Sequence, residues 1–202
     1  MSGLWENPAS HGEILKKVWK HLDLGVLDSK HPFHTPVFGT VCDASPEMRV
    51  VVLRRFWRRP PAIAFHSHSG SPKIEQLRSN PRCTWVFYHP DENFQTRISG
   101  IAEVITDGDL ADEQWAATSF FARRCYIGKA PSQTSKKPSH GMPKEIVERE
   151  PSAEESKAGR DNFAVILSKI ATVDVVELDV RGHRRSFFDW RGGELKTSWL
   201  TP

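Results

Sequence analysis

The sequence predicts a mainly β fold with helices at its margins. Short runs rich in Val, Ile and aromatic residues recur between residues 38 and 105 and again between 164 and 190. Clusters of Gly, Pro, Asn, Asp and Ser punctuate those runs at hairpin intervals. The 202 residues also suit one ordinary domain with a real core. Sequential hairpins favour a barrel over a sandwich, a choice that periodicity alone leaves open.

Ser10-His11-Gly12-Glu13 has capping-box spacing, and Ile14, Leu15, Val18, Trp19 and Leu22 follow at helical intervals. An amphipathic helix of about three turns is expected there, with Gly25 placed to close it. Residues 1–30 therefore read as an N-terminal helix of the same domain that residues 31–202 build. Strands are expected at 38–41 and 49–56, joined by the turn formers Asp43-Ala44-Ser45-Pro46-Glu47. Residues 62–66, 83–88 and 94–105 are further strands. Between the first two of these, Ser71 can cap a short helix carrying Ile74 and Leu77, ended before Asn80-Pro81. Asp107 starts another helix with Leu110, Trp115 and Phe120. Residues 126–162 have no clear period, contain Pro131, Pro138, Pro143 and Pro151, and read as a long loop with some short helix. Strands resume at 164–170, 173–180 and 185–190, with Arg181-Gly182-His183 as a hairpin turn. Trp199-Leu200-Thr201-Pro202 is expected to close a sheet of about seven or eight mostly antiparallel strands.

The chain carries 28 basic against 25 acidic residues, a net charge of +3, too small to demand a nucleic-acid partner. The distribution says more. Five arginines and no acid lie between Arg49 and Arg59; Arg181, Arg184, Arg185 and Arg191 form a second cluster. Acids gather between Glu145 and Asp161. A nucleic-acid module on the first cluster, with Phe56 and Trp57 interleaved, would need exposed arginines and a steep salt dependence. The low net charge weighs against it. Cys42, Cys83 and Cys125 form no CxxC, and their odd number argues for a reduced, cytoplasmic setting. No signal-peptide pattern and no apolar run of roughly 18 residues point to a membrane.

The stretch FHSHSGSPK, residues 65–73, fits three chemistries. His66 and His68 share one face of a strand, but zinc needs a third and fourth ligand. His31, His34, His89, His140 and His183 are scattered, so no metal is expected. Ser67, Ser69, Ser71 and Lys73 stand ahead of a helix start, where hydroxyls, backbone N–H groups and a cation can converge on one anion. Ser/Gly/Pro turns are common, and a plain strand running into a turn is the third reading. In RVVVLR, residues 49–54, alternation puts Arg49, Val51 and Leu53 on one face and Val50, Val52 and Arg54 on the other. Such a strand can hold a phosphate on one side and present a guanidinium on the other. A strand with solvated ends is the plainer alternative, and Arg55, Arg58 and Arg59 fit it. In FQTRISG, residues 94–100, Gln95 shares a face with Arg97; a buried glutamine there can donate and accept toward a planar heterocycle.

Taken in order, RVVVLR, FHSHSGSPK, Asn80-Pro81, FQTRISG, APSQTS (130–135) and RGHRR (181–185) before a terminal WLTP resemble the pyridoxamine 5′-phosphate oxidase-related family. Its members are FMN-binding split β-barrels and homodimers with FMN at the interface. The resemblance implies that residues 31–202 form the split-barrel domain, with the 126–162 loop inside it. It implies that Arg49, Val50, Val51, Val52, Leu53 and Arg54 line the flavin. His66, Ser67, Ser71 and Lys73 would meet its phosphate, and Gln95 its ring. Gln133 and Thr134 match a pair contributed across the dimer, and Arg185 a late flavin contact. Arg54, Arg124, Arg181 and His183 match groups near substrate. Pro72 replaces a phosphate-binding arginine, Val175 falls where a flavin-covering tryptophan is expected, and a clamp tyrosine is missing near Phe120 and Phe121. The expected activity is flavin-dependent oxidoreduction of a small molecule. A non-catalytic protein binding flavin, deazaflavin or haem is the alternative.

Overall fold

The computed structural model describes residues 9–202. Helix α1, His11–Leu27, opens on a complete capping box: Ser10 Oγ accepts from Glu13 N at 3.3 Å, and Glu13 Oε2 accepts from Ser10 N at 2.8 Å. The helix runs 17 residues, past the three turns expected, because Gly25 does not stop it. Gly25 serves close approach instead. A Cβ there would sit 2.8 Å from the Phe33 carbonyl, and Gly25 O accepts from the His34 ring at 2.7 Å. Ile14, Val18, Trp19 and Leu22 are buried in the same core as Phe38, Phe65, Trp85 and Phe188.

Nine strands pair antiparallel in one sheet: β1 Val37–Cys42, β2 Ser45–Val50, β3 Arg55–Arg58, β4 Pro61–His68, β5 Arg82–His89, β6 Phe94–Ile105, β7 Phe163–Glu177, β8 Arg184–Asp189 and β9 Lys196–Leu200. The order is β2-β1-β5-β6-β7-β4-β3, with β8 on β7 and β9 on β8. The sheet wraps without closing. In particular β9 pairs only with β8, so the C-terminal strand extends an edge and does not close the sheet.

The run expected as one strand at 49–56 is divided. Residues 51–54 bridge the two ends of the sheet, with Val51 N donating to Pro36 O (3.0 Å), Leu53 N to His34 O (2.8 Å) and Arg54 N to Ala64 O (2.9 Å). Successive N–H groups of an extended chain point to opposite sides, so the segment leaves one partner as it gains the other. That switch is the split in the barrel.

Other departures have equally local causes. Asp43 and Ala44, at φ 47° and 64°, make the whole β1–β2 turn, and Ser45-Pro46-Glu47 already lies in β2. The strands expected at 164–170 and 173–180 are the single 15-residue β7. A bulge at Ser99/Gly100 absorbs the irregularity opposite, where a Cβ on Gly100 would fall 2.0 Å from Lys169 O. Phe120 does not continue the helix that follows Asp107. Helix α3, Gly108–Ala117, ends at Thr118, and Ser119 caps the separate helix α4, Phe120–Ile127, by accepting from Ala122 N. Helix α2 is Pro72–Ser79. Within residues 128–162 lie two short 3₁₀ turns and helix α5, Ala153–Lys157, with its own Ser152–Glu155 capping box. Among the described residues no helix is long and apolar enough to cross a membrane.

Candidate functional site

Lys73 is the centre of a cluster of hydroxyls beside a second cation. It stands in the first turn of α2, behind Pro72 at a helix start where the missing N–H is tolerated. Lys73 Nζ donates to Ser67 Oγ at 3.3 Å and to Ser71 Oγ. Ser71 makes no capping bond, because its hydroxyl serves the lysine. The expectation that Ser71 caps α2 with its side chain is thus corrected. Burial, and then the Arg49 guanidinium nearby, lower the Lys73 pKa.

Arg49, near the end of β2, is held between sheet and helix. Its Nη1 donates to Thr40 Oγ1 (2.7 Å) and Glu47 O (3.0 Å), and its Nη2 to Gln76 Oε1 (3.1 Å). Thr40 in turn donates to Gln76 Oε1 at 2.6 Å. Arg54 is exposed at the far end of the 51–54 link. Among the described residues none of Arg49, Arg54 and Lys73 is paired with a carboxylate. Val51 and Leu53 turn their side chains into the core. The Val52 N–H points to the opposite side from theirs, toward β4, and makes no hydrogen bond among the described residues.

These groups share a cleft. A cavity of about 640 Å³ is lined by His66, Ser67, His68, Lys73, Tyr126 and residues 128–135 and 139–142. It shares His66, Lys73 and Tyr126 with a smaller hollow of about 280 Å³ lined by Arg49, Val50, Val51, Val52 and Arg54. Together they suit a ligand of drug-like size or larger. Gln133 and Thr134 lie on the larger wall, in the same chain as Lys73. His66 Nε2 lies 3.4 Å from Gln114 Oε1. Burial, then the Arg54 charge, pushes His66 down to about 4, so the ring is neutral at neutral pH. His68 Nδ1 accepts from Gly70 N at 3.0 Å, and no third metal ligand joins His66 and His68 among the described residues.

Other sequence-predicted residues lie elsewhere. Gln95 is exposed, not buried, on the outer face of β6 with Arg97. Arg185 forks onto Asp174 at 3.0 and 2.9 Å, and Arg97 shares that carboxylate. Burial alone would raise the Asp174 carboxyl, but the Arg185 and Arg97 bonds outweigh it and hold it below its ordinary value. Arg181 is exposed and bonds Asp179; His183 Nδ1 accepts from Asp179 N at 3.2 Å. Arg124 donates to the Phe121, Ile146 and Val147 carbonyls and stacks on Phe121, which fastens residues 146–147 to α4 and keeps it off the cleft wall. Val175 is fully buried between Thr96 and Ser186, so its side chain faces the core and cannot cover a ligand. Sequence reasoning missed Thr40, Gln76, Gln114 and Tyr126. Only Gln76, one turn beyond Lys73 on a helix, left a spacing signal.

Residues 13–106 match the family described as pyridoxamine 5′-phosphate oxidase, FMN-binding domain. An Arabidopsis thaliana pyridoxine/pyridoxamine 5′-phosphate oxidase 2 is 27% identical over 124 residues, covering 56% of this chain and 63% of that protein. The chain spans between 34% and 63% of the length of the curated relatives it matches. Its fold is that of a pyridoxamine 5′-phosphate oxidase-related, FMN-binding protein from Nostoc punctiforme PCC 73102, with TM-score 0.73, 21% identity and full coverage of both chains. PhzG from Burkholderia lata 383, solved with tetrahydrophenazine-1-carboxylic acid, superposes with TM-score 0.67 at 18% identity over 100% of this chain and 98% of its own. The similarity to the FMN-binding domain of pyridoxamine 5′-phosphate oxidase is carried by residues 13–106, just under half of the chain.

Proposed function

We propose that this protein binds FMN in the Lys73 cleft and acts as an oxidoreductase on a small molecule. The observation that carries the reading is that two cations and two hydroxyls converge while, among the described residues, no carboxylate is ion-paired with either cation. A half-buried lysine left in that state is suited to a phosphate, which restores the charge balance that partial burial disturbs. Lys73, Ser67 and Ser71 hold the phosphate end. The unpartnered Val52 N–H offers a donor to the polar edge of a flat ring lying along residues 49–54. Bound FMN supplies hydride transfer at its ring. Arg54, exposed at the end of the link, presents a cation where negative charge gathers. Arg54→Ala is expected to lower turnover more than FMN retention, and an equal loss of both would remove Arg54 from that role.

A second reading, a non-catalytic flavin binder, is favoured by two observations. Arg181 and His183 are distant from the cleft lining within one chain, and Pro72 offers no phosphate donor. A homodimer reconciles the two readings if a second copy brings Gln95, Arg185, Arg181 and His183 to the cleft. The exposed Tyr88, paired with Gln95, and Leu200, paired with Arg185, lie on that face of the sheet and suit such a contact. The deciding experiment is the visible spectrum of the purified protein, with identification of the ligand released on denaturation and the mass in solution. Stoichiometric FMN on a dimer, followed by turnover of pyridoxamine or pyridoxine phosphate, supports the enzyme. FMN without turnover of these or of nicotinamide cofactors supports the binder. A colourless protein that takes up no FMN removes both.

A further inference from the structure

Three histidines far apart in sequence meet where α1 packs on the end of β5. His21 lies on the buried face of α1 and is 4% exposed; His31 precedes the 3₁₀ turn Pro32–His34; His89 ends β5. One ligand nitrogen from each lies within 4.8 Å of the other two. The ring centroids are 4.9 Å (His21–His89), 5.4 Å (His21–His31) and 5.5 Å (His31–His89) apart. A tetrahedral ion roughly 2.0–2.1 Å from three imidazole nitrogens sets those nitrogens about 3.3 Å apart and the ring centres about 5 Å apart. His21 Nδ1 and His31 Nε2 stand 3.3 Å apart.

The surroundings fit the same chemistry. His89 Nδ1 is buried without a hydrogen-bond partner. Glu92 stands behind the rings, with Oε2 3.3 Å from His21 Nε2 and Oε1 3.7 Å from His89 Nε2. Lys17 Nζ holds that carboxylate at 2.8 Å. Phe33 and Phe94, both fully buried, close the core side. Because His31 Nδ1 accepts from Phe33 N, its ring proton sits on Nε2 and faces His21 Nδ1; a cation between the rings would take the place of that proton.

We propose that His21 Nδ1, His31 Nε2 and His89 Nδ1 bind one zinc ion, with Glu92 accepting the outward N–H bonds of His21 and His89. Imidazole nitrogens suit zinc, and a carboxylate behind a ligating ring fixes its tautomer and raises its basicity. His31 gives up one bond in exchange. Its Nδ1 accepts from Phe33 N at 3.1 Å, and ligation through Nε2 moves the ring proton to Nδ1 and releases that contact. Water completes the coordination. None of the three rings lines the Lys73 cleft, so the ion cross-links α1 to the sheet and takes no part in cofactor binding.

The test uses the full-length, untagged protein, stripped with EDTA and titrated with zinc by calorimetry, with elemental analysis of the loaded form. One ion per chain, a raised melting temperature with zinc, and tetrahedral visible bands with cobalt(II) are expected. His89→Ala and His31→Ala, both at partly exposed positions, lose the stoichiometric binding and the cobalt bands, and His66→Ala keeps them. Glu92→Gln weakens binding about 10- to 100-fold, as loss of an outer carboxylate does. No uptake by the unmodified protein overturns the site, as does uptake undiminished in both histidine variants. If those variants fail to fold by circular dichroism, unchanged zinc affinity in Glu92→Gln overturns it.

Discussion

Lys73, Arg49 and Arg54 gather on a cleft without a carboxylate, whereas Arg97 and Arg185, on the outer face of β6 and β8, converge on Asp174. The side chains are of one kind and lie on one sheet, yet their electrostatics run in opposite directions. Lys73 has its pKa lowered by burial and by Arg49; Arg185 has its pKa raised by the Asp174 hydrogen bond and charge. A cation that is neutralised within the fold contributes to the fold. One left without its counter-charge in a cleft is a candidate for a ligand's charge to complete. Basic clusters read from sequence alone do not reveal which kind they are.

The sharpest way to break this contrast is Lys73→Met. Losing a charge-assisted contact of about 1.5–3 kcal/mol should weaken FMN binding by roughly 10- to 150-fold in a fluorescence titration. The melting temperature of the FMN-free protein should not fall, since a cation beside Arg49 is removed. Unchanged affinity would return Lys73 to the structural class. A pH series sharpens the same point. Phosphate binding needs the ammonium form, so affinity should decline as pH rises through a Lys73 pKa that lies below the ordinary 10.5. Lys73→Arg should move that decline to higher pH.

On the neutralised side, Asp174→Asn should cost about 1–3 kcal/mol of stability in urea at pH 7, because two guanidiniums lose their shared acceptor. With its folded pKa depressed, Asp174 contributes stability above the unfolded value near 3.8 and loses that contribution as pH falls through the folded value. The gap between wild type and Asp174→Asn should therefore narrow below about pH 4. An equal gap at pH 7 and pH 3 would show that the carboxylate charge is not what matters. The smallest effect belongs to Arg58 and Asp23, paired at the surface with side chains 54% and 43% exposed. Arg58→Ala should change stability by only about 0.2–1 kcal/mol, and less in high salt.

Local chemistry was legible in the residues alone. The Ser10–Glu13 box starts α1, alternating apolar runs make the strands, and the hydroxyl-rich turn before Lys73 puts Ser67 and Ser71 within reach of its ammonium. These rest on residues within a few positions of one another, and their backbone preferences survive in any fold. Tertiary structure decided the rest, because partners distant in sequence carry no local signature. Residues 51–54 become a bridge only because Pro36, His34 and Ala64 stand on opposite sides of them. Thr40 and Gln76 orient Arg49 across a strand and a helix, while Asp174 claims Arg185 from the neighbouring strand. His31 and His89 read as scattered, and His21 drew no notice, until α1 lies against the end of β5. A charge or a lone pair becomes a site only when the fold chooses its neighbours.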